Sequence, residues 1–183
     1  MSQLALLSEE VQVSERTLRR AVRQGTLHAR RATPRTLDLP LSERRYVRRS
    51  WPLIAKLRNA LRTEHNVRFA LLFGSAATGT DTPASDVDVL VHLRDPDFER
   101  VIDLSARLGA AIGRPVEVVR LEDAEAEPSF LADVLAEGRV LVDRDEAWGR
   151  VRRRRSSLAR DAQRRERARA AAALAGIDEL LDR

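Results

Sequence analysis

The sequence predicts an α/β protein with a mixed sheet, because strand-like apolar runs alternate with segments of helical periodicity. Phe69 to Phe73 is an uninterrupted apolar run, which is typical of a buried strand. Val87 to Val91 is a second, largely apolar run. Between residues 97 and 112, apolar side chains recur at helical spacing, as expected for a helix packed on a sheet. These segments predict a central domain over residues 65–142.

The first 64 residues predict a helix-turn-helix module followed by a bridging helix. A short helix over residues 2–10 precedes a second helix over 15–24, which begins after Ser14 and ends at Gly25. Serine caps a helix start by accepting an amide hydrogen bond, and glycine ends helices in the left-handed conformation. Five residues of the second helix would face outwards and bind DNA: Arg16, Thr17, Arg19, Arg20 and Arg23. The alternative is a basic helical hairpin that only packs on the central domain.

Residues 26–39 predict a hairpin with its turn near Thr33-Pro34, which would be the wing of this module. Residues 41–64 predict the bridging helix, capped by Ser42 and split or kinked at Pro52, because proline removes a backbone donor. Four arginines of this helix are expected on a solvated face: Arg44, Arg45, Arg48 and Arg49.

The second half of the central domain continues the alternation of strands and helices. Residues 115–121 predict a strand, 122–127 an acidic loop, 128–138 a helix, and 139–142 a short final strand. Residues 143–183 predict an arginine-rich segment with one long helix or a helix pair. This segment is either a nucleic-acid arm or a docking helix for a partner, or else a solvated helix lying across the domain.

The charge of the chain is unevenly distributed. Residues 1–65 hold 14 basic and 6 acidic side chains, residues 66–142 hold 7 and 14, and residues 143–183 hold 12 and 8. Basic ends suggest a polyanionic partner, although 32 of the 33 cations are arginine, a bias that genome composition also produces. The chain has no cysteine, no apolar run of about 18 residues and no secretory leader in its first ten residues. We therefore expect a cytoplasmic protein with no membrane partner.

Two aspartates stand close together at the start of the second apolar run. Asp86 and Asp88 would point to one face of a strand while Val87 points to the other. Like charges at this spacing repel each other, and a divalent cation between them would remove that cost. Gly74 lets the backbone approach an anion closely, and Ser75 can start a helix whose amides bind phosphate. Together these residues indicate metal-assisted phosphoryl or nucleotidyl transfer.

The pattern Gly74-Ser75, ten residues, then Asp86-Val87-Asp88 resembles the motif of the DNA polymerase beta-like nucleotidyltransferase superfamily. The likeness is closest to the minimal nucleotidyltransferases, and it covers residues 66–142. It implies a third carboxylate in the middle of a later strand, and Glu117, which lies between valines, matches this position. Thr78 departs from the family pattern, which commonly has an arginine at that position.

The resemblance implies a magnesium-dependent nucleotidyltransferase that moves a nucleoside monophosphate from a triphosphate, expected to be ATP, to a protein or RNA hydroxyl group. Gly74 and Ser75 would bind the phosphates, and Asp86 and Asp88 would hold the Mg²⁺ that carries them. Asp88 and Glu117 would help hold a second Mg²⁺, and Glu117 could also act as the base. The size of the chain resembles that of the antitoxin in HEPN–MNT toxin–antitoxin pairs, which implies a HEPN-type toxin as partner. The alternative hypothesis is a DNA-binding regulator whose nucleotidyltransferase domain is weak or inactive.

Overall fold

The computed structural model describes residues 3–31 and 37–181, with side chains described except at residues 31, 155, 162 and 169–181. The N-terminal elements are, in chain order, α1 (Gln3–Glu10), α2 (Glu15–Gln24), β1 (Arg30–Arg31), β2 (Leu37–Asp38) and α3 (Leu41–Thr63). They are followed by β3 (Val67–Phe73), α4 (Gly74–Thr78), β4 (Val87–Leu93), α5 (Phe98–Ile112), β5 (Val116–Arg120), α6 (Leu121–Glu125), α7 (Pro128–Glu137), β6 (Arg139–Asp143) and α8 (Ala147–Leu181).

The four longer strands form one mixed sheet in the order β5-β4-β3-β6, which confirms the predicted fold class. β3 pairs antiparallel with both β4 and β6, whereas β4 and β5 run parallel. A parallel pair needs a long crossover connection, and α5 provides it. Because β4 and β5 run in the same direction, residues near the starts of these two strands lie side by side at the same end of the sheet.

The N-terminal module contains the predicted pair of helices and a short hairpin. The Ser14 side chain accepts a hydrogen bond from Thr17 N at 3.2 Å, and Gly25 ends α2 with a φ of 82°. β1 and β2 pair antiparallel, but each has only two residues, and the predicted turn at Thr33-Pro34 lies outside the described residues. The role of this module in DNA binding stays a prediction.

The bridging helix differs from the prediction at two residues. α3 begins at Leu41 after Pro40, so Ser42 lies inside the helix and is not its cap. α3 also continues through Pro52, so of the two predicted outcomes the split into two helices is wrong, while a kink at Pro52 stays a prediction. An interior proline costs about 3 kcal/mol, whereas burying one large apolar side chain contributes about 1.5–3 kcal/mol. α3 buries such side chains on both sides of the proline: Tyr46, Val47, Trp51, Ile54, Leu57 and Leu61.

The predicted acidic loop over residues 122–127 is wrong over its first four residues, 122–125, which lie in the short helix α6. Arg120 makes two hydrogen bonds to the carboxylate of Asp123, both at 2.7 Å, and Ala124 is buried. Acidic side chains in the first turn also interact favourably with the helix dipole. A run of charges that resembles a loop in the sequence is therefore compatible with a helix here.

Apolar side chains cover both faces of the sheet. On one face, the helices α1, α2, α3 and α5 share a continuous buried cluster with Ala70 and Leu72 of β3. On the other face, α6, α7 and the start of α8 pack against Phe69 and Leu71, as strand alternation requires. The N-terminal helices therefore share a core with the central domain, while the domain boundary at residue 64 stays a prediction. No helix among the described residues is long and apolar enough to cross a membrane.

Candidate active site

The turn between β3 and α4 depends on a glycine. Gly74 has a φ of 67°, in the left-handed region that residues with a side chain rarely adopt. A Cβ atom built on Gly74 would overlap Oδ2 of Asp88 and stand 3.1 Å from its Cγ. The carboxylate of Asp88 therefore lies directly against the backbone of Gly74, so that the glycine turn and an aspartate of β4 belong to one site.

The parallel strands β4 and β5 bring the predicted carboxylates together. Asp88 lies opposite Glu117 in the β4–β5 register, and Asp86 lies one residue before β4. Asp86 and Glu117 are exposed, whereas Asp88 is partly buried. Val87 and Val89 are fully buried, as strand alternation predicts for the residues that point away from the site.

The three carboxylates interact electrostatically. Partial burial raises the pKa of the Asp88 carboxyl group above its ordinary value, and repulsion from Glu117 and then from Asp86 raises it further. Oxygen donors of this kind suit Mg²⁺, and a bound cation would remove the repulsion.

Among the described residues, no group of three or more aspartate, glutamate, histidine or cysteine side chains is already arranged to hold a metal ion. The assignment of Asp86, Asp88 and Glu117 as metal ligands therefore stays a prediction.

Ser75 and Thr78 lie on α4, beside the aspartate pair. The helix begins at Gly74 and has no side-chain cap, so Ser75 lies in its first turn and does not start it. The hydroxyl of Thr78 donates back to the carbonyl oxygen of Ser75, 3.1 Å away, and lies 3.0 Å from Oγ1 of Thr80. At the position where the family resemblance implies an arginine, this chain therefore has a short side chain that bonds to its own helix.

The loop that leads from α4 to the aspartate pair is held by two arginines that sequence reasoning missed. Asp81 is only 8% exposed, and its carboxylate accepts a hydrogen bond from Arg114 at 2.8 Å. Arg114 also donates to the carbonyl oxygen of Ser85 at 2.7 Å, and Arg49 donates to that of Gly79 at 2.6 Å. Arg49 is exposed, as predicted, but its guanidinium group also holds this loop, which the sequence did not indicate.

A buried ion pair holds α4 from the other side. Arg139 of β6 binds Glu43 of α3 at 2.6 Å, and both side chains are 6% exposed. Arg139 also donates to the carbonyl oxygen of Ala77 at 2.6 Å and lies 3.4 Å from the centre of the Tyr46 ring. The hydroxyl group of Tyr46 donates to the carbonyl oxygen of Ala76 at 3.1 Å. No local sequence signal identifies these contacts, which join residues that are distant along the chain.

A glycine turn, a carboxylate pair and a third carboxylate on the neighbouring parallel strand are the features of a nucleotidyl-transferring enzyme. The family model described as "Polymerase beta, Nucleotidyltransferase" matches residues 55–147, about half of the chain. The chain belongs to this family, and it is a nucleotidyltransferase, as the sequence predicts.

One relative and two solved structures extend this comparison. The "Putative protein adenylyltransferase" of Methanocaldococcus jannaschii is 42% identical over 89 residues, which cover 45% of this chain and 88% of that protein. A chain from the crystal structure of a toxin–antitoxin with AMP-PNP matches with a TM-score of 0.55 and 23% identity, over 66% of this chain and 98% of that one. A chain from the tri-AMPylated Shewanella oneidensis HEPN toxin in complex with MNT antitoxin matches with a TM-score of 0.53 and 20% identity, over 68% and 98%. At these identities, the solved structures show the shared fold alone.

Proposed function

We propose that the chain transfers adenylate from ATP to a hydroxyl group of a partner protein, with Mg²⁺ as the metal ion. The contact of Asp88 with Gly74 carries this proposal, because it joins a metal-binding type of side chain to a phosphate-binding type of turn. The choice of adenylate and of a protein acceptor is supported by the name of the Methanocaldococcus relative, "Putative protein adenylyltransferase". An RNA hydroxyl group is the alternative acceptor.

The proposed binding roles are supported by the family resemblance and by the neighbouring positions of these residues in the fold. Gly74 and Ser75 bind the β- and γ-phosphates through the first turn of α4. Asp86 and Asp88 hold Mg²⁺ next to these phosphates, and Glu117 provides the third carboxylate from β5. When bound, Mg²⁺ would neutralise negative charge on the triphosphate and on the departing pyrophosphate.

Glu117 is the proposed general base, because it is exposed at the edge of the site while Asp88 is packed against Gly74. The carboxylate of Glu117 removes the proton from the acceptor hydroxyl group. The acceptor oxygen then forms a bond to the α-phosphorus as the bond between that phosphorus and the oxygen leading to the β-phosphate breaks. The products are an adenylated acceptor and pyrophosphate.

We further propose that the acceptor is a HEPN-type toxin protein. The support is the shared fold with chains from toxin–antitoxin structures, one of which contains AMP-PNP and another a tri-AMPylated HEPN toxin. An adenylate group on a toxin changes its charge and shape at the modified hydroxyl group, which is a direct way to alter the activity of that protein.

Transfer of label from ATP tests the proposal. The purified chain is incubated with Mg²⁺ and either α-labelled or γ-labelled ATP, together with the protein encoded by the neighbouring gene or with a cell extract. Label is expected on a protein from the α-phosphate alone. Asp88→Ala should abolish the transfer, whereas Asp133→Ala, which removes an exposed aspartate on α7, should not. Transfer of the γ-label would indicate a kinase, and no transfer to any acceptor would leave the regulator hypothesis.

A second function, DNA binding, is supported by the N-terminal module. Arg16, Arg20 and Arg23 are exposed on α2 and have no carboxylate partner within the described part of the chain, whereas Arg19 pairs with Glu15 at 3.2 Å. Arginines with free guanidinium groups on a helix beside a hairpin are suited to phosphate contacts on DNA. We propose that duplex DNA binds here, with an affinity that falls steeply as salt rises. An electrophoretic mobility assay that shows no complex at low salt would remove this second function.

A further inference from the structure

A groove runs between α2 and α3 and continues to β6. Its first part has a volume of about 280 Å³ and its second part about 450 Å³, and the two share Arg20, Gln24 and Arg58. We call it the α2–α3 groove. Its four main cationic side chains come from both walls: Arg16 and Arg20 from α2, and Arg58 and Arg62 from α3.

The cations of this groove have no carboxylate partner among the described side chains. Arg58 is partly buried and donates to neutral oxygens, Oγ1 of Thr26 at 3.0 Å and Oε1 of Gln24 at 2.8 Å. Burial lowers the pKa of the Arg58 guanidinium group, and the nearby charge of Arg20 lowers it further. Holding two such cations together costs free energy, which an anion bound in the groove would offset.

The acidic residue that lines the groove in the described structure is already engaged by backbone amides. Asp143 accepts hydrogen bonds from Ala147 N at 2.7 Å and from Trp148 N at 3.2 Å, so its charge caps the start of α8. Arg144, at the same end of the groove, donates to the carbonyl oxygen of Leu61 at 3.0 Å. The electrostatic field in the groove is therefore set by its arginines.

The α2–α3 groove lies apart from the candidate active site. β6 is an edge strand, at the opposite side of the sheet from β5, and the groove follows it from Val140 to Arg144. In the β3–β6 register, Leu72 is opposite Arg139 while Phe69 is opposite Asp143, so the groove leads away from the turn that follows β3. An anion bound in the groove is therefore not the nucleotide of the transferase site.

We propose that the α2–α3 groove binds the phosphodiester backbone of a nucleic-acid strand. Guanidinium groups bind phosphate in a bidentate geometry, and two of them lie one helical turn apart on each wall, about 6 Å. The groove thus offers a row of cationic positions, with the amides of Gln24 and Asn59 and the edge of Trp51 along it, as in grooves that follow a nucleic-acid backbone. The inference is independent of the transferase activity. It extends the DNA-binding proposal by adding Arg58 and Arg62 of α3 to the contact surface.

Fluorescence anisotropy with labelled single-stranded and duplex oligonucleotides of one sequence tests the proposal. It also shows whether the groove binds a single strand or a strand within a duplex. The variant Arg20→Glu with Arg62→Glu reverses one exposed charge on each wall of the groove. The control Arg94→Glu with Arg100→Glu makes the same change in net charge at exposed positions outside the groove. Loss of two phosphate contacts should lower the slope of log affinity against log salt by about 1.4 for a single strand or about 1.8 for a duplex. The control should leave this slope unchanged.

Any of four results would overturn the proposal. The first is absence of binding to either oligonucleotide, and the second is an unchanged salt slope in the groove variant. The third is tighter binding of polyglutamate than of either oligonucleotide at matched charge, which would identify an acidic peptide as the ligand. The fourth is a loss of binding in the variant Arg19→Glu with Arg23→Glu but not in the groove variant. That result would place DNA binding on the outer face of α2 and contradict a role for the groove. If the double groove variant fails to fold, Arg62→Gln replaces it, with about half the expected change in slope.

Discussion

Replacing Gly74 with alanine should disable nucleotidyl transfer at a modest cost in stability. A left-handed backbone such as that of Gly74, with a φ of 67°, costs a residue with a side chain about 1–2 kcal/mol. The new methyl group would also overlap the Asp88 carboxylate, which must move by on the order of 1 Å to restore normal contact. A displacement of about 1 Å at a reacting group lowers the rate about 100-fold. We therefore expect a loss of about that size.

Gly113 provides a matched control for the backbone strain. Its φ is 74°, close to that of Gly74, but a Cβ atom built on it meets nothing within 4 Å. The backbone strain should therefore cost each alanine variant about 1–2 kcal/mol of unfolding free energy, which corresponds to about 2–8 °C in Tm for a chain of this size. Only Gly74→Ala should lose activity.

The assay is the rate of transfer from α-labelled ATP, measured with urea denaturation of the same preparations. If Gly74→Ala transfers label as fast as Gly113→Ala, the contact with Asp88 has no catalytic importance and the argument from the glycine turn fails. An equal loss of activity in both variants would assign the effect to backbone strain alone.

Three further predictions concern charges around the site. The pKa of Asp88 is raised in the folded chain, so its ionised form destabilises the fold as pH rises above the unfolded pKa. Asp88→Asn should therefore raise the unfolding free energy at neutral pH with chelator present. A decrease in stability measured by urea denaturation would contradict this. Glu43→Gln leaves the charge of Arg139 buried without its partner and should cost about 3–5 kcal/mol in the same experiment, whereas a cost below about 1 kcal/mol would refute the role of the pair. Asp81→Asn weakens the contact with Arg114 that holds the loop before the aspartate pair. It should lower kcat for transfer about tenfold, and an unchanged kcat would show that the loop needs no such support.

Sequence reasoning succeeded where a residue acts within its own element or through strand register. α2 begins after Ser14 and ends at Gly25, as predicted, because capping depends on residues one to three positions away. The family resemblance, together with its place in an apolar run, points to Glu117, and the parallel register of β4 and β5 sets it opposite Asp88, while its role in the site stays a prediction. The alternation of strand faces needs no knowledge of the rest of the fold.

Sequence reasoning failed where the contact partner is distant along the chain. Arg49 and Asp81 are 32 residues apart, and Arg139 and Glu43 are 96 residues apart. In a chain with 32 arginines, no local pattern distinguishes the few that hold a loop or a buried carboxylate from those on the surface. The split predicted at Pro52 failed for a related reason, since the burial that keeps α3 continuous comes from other elements.

Binding of Mn²⁺, a paramagnetic substitute for Mg²⁺, tests most directly whether the three carboxylates form a metal site for the nucleotide. Electron paramagnetic resonance can measure free Mn²⁺ in the presence of the chain and a non-hydrolysable ATP analogue. The wild type should bind Mn²⁺ more tightly when the nucleotide analogue is present. The variant Asp86→Asn, Asp88→Asn, Glu117→Gln should lose this binding, whereas Asp133→Asn should retain it. Equal Mn²⁺ affinity in the wild type and the triple variant would contradict the account.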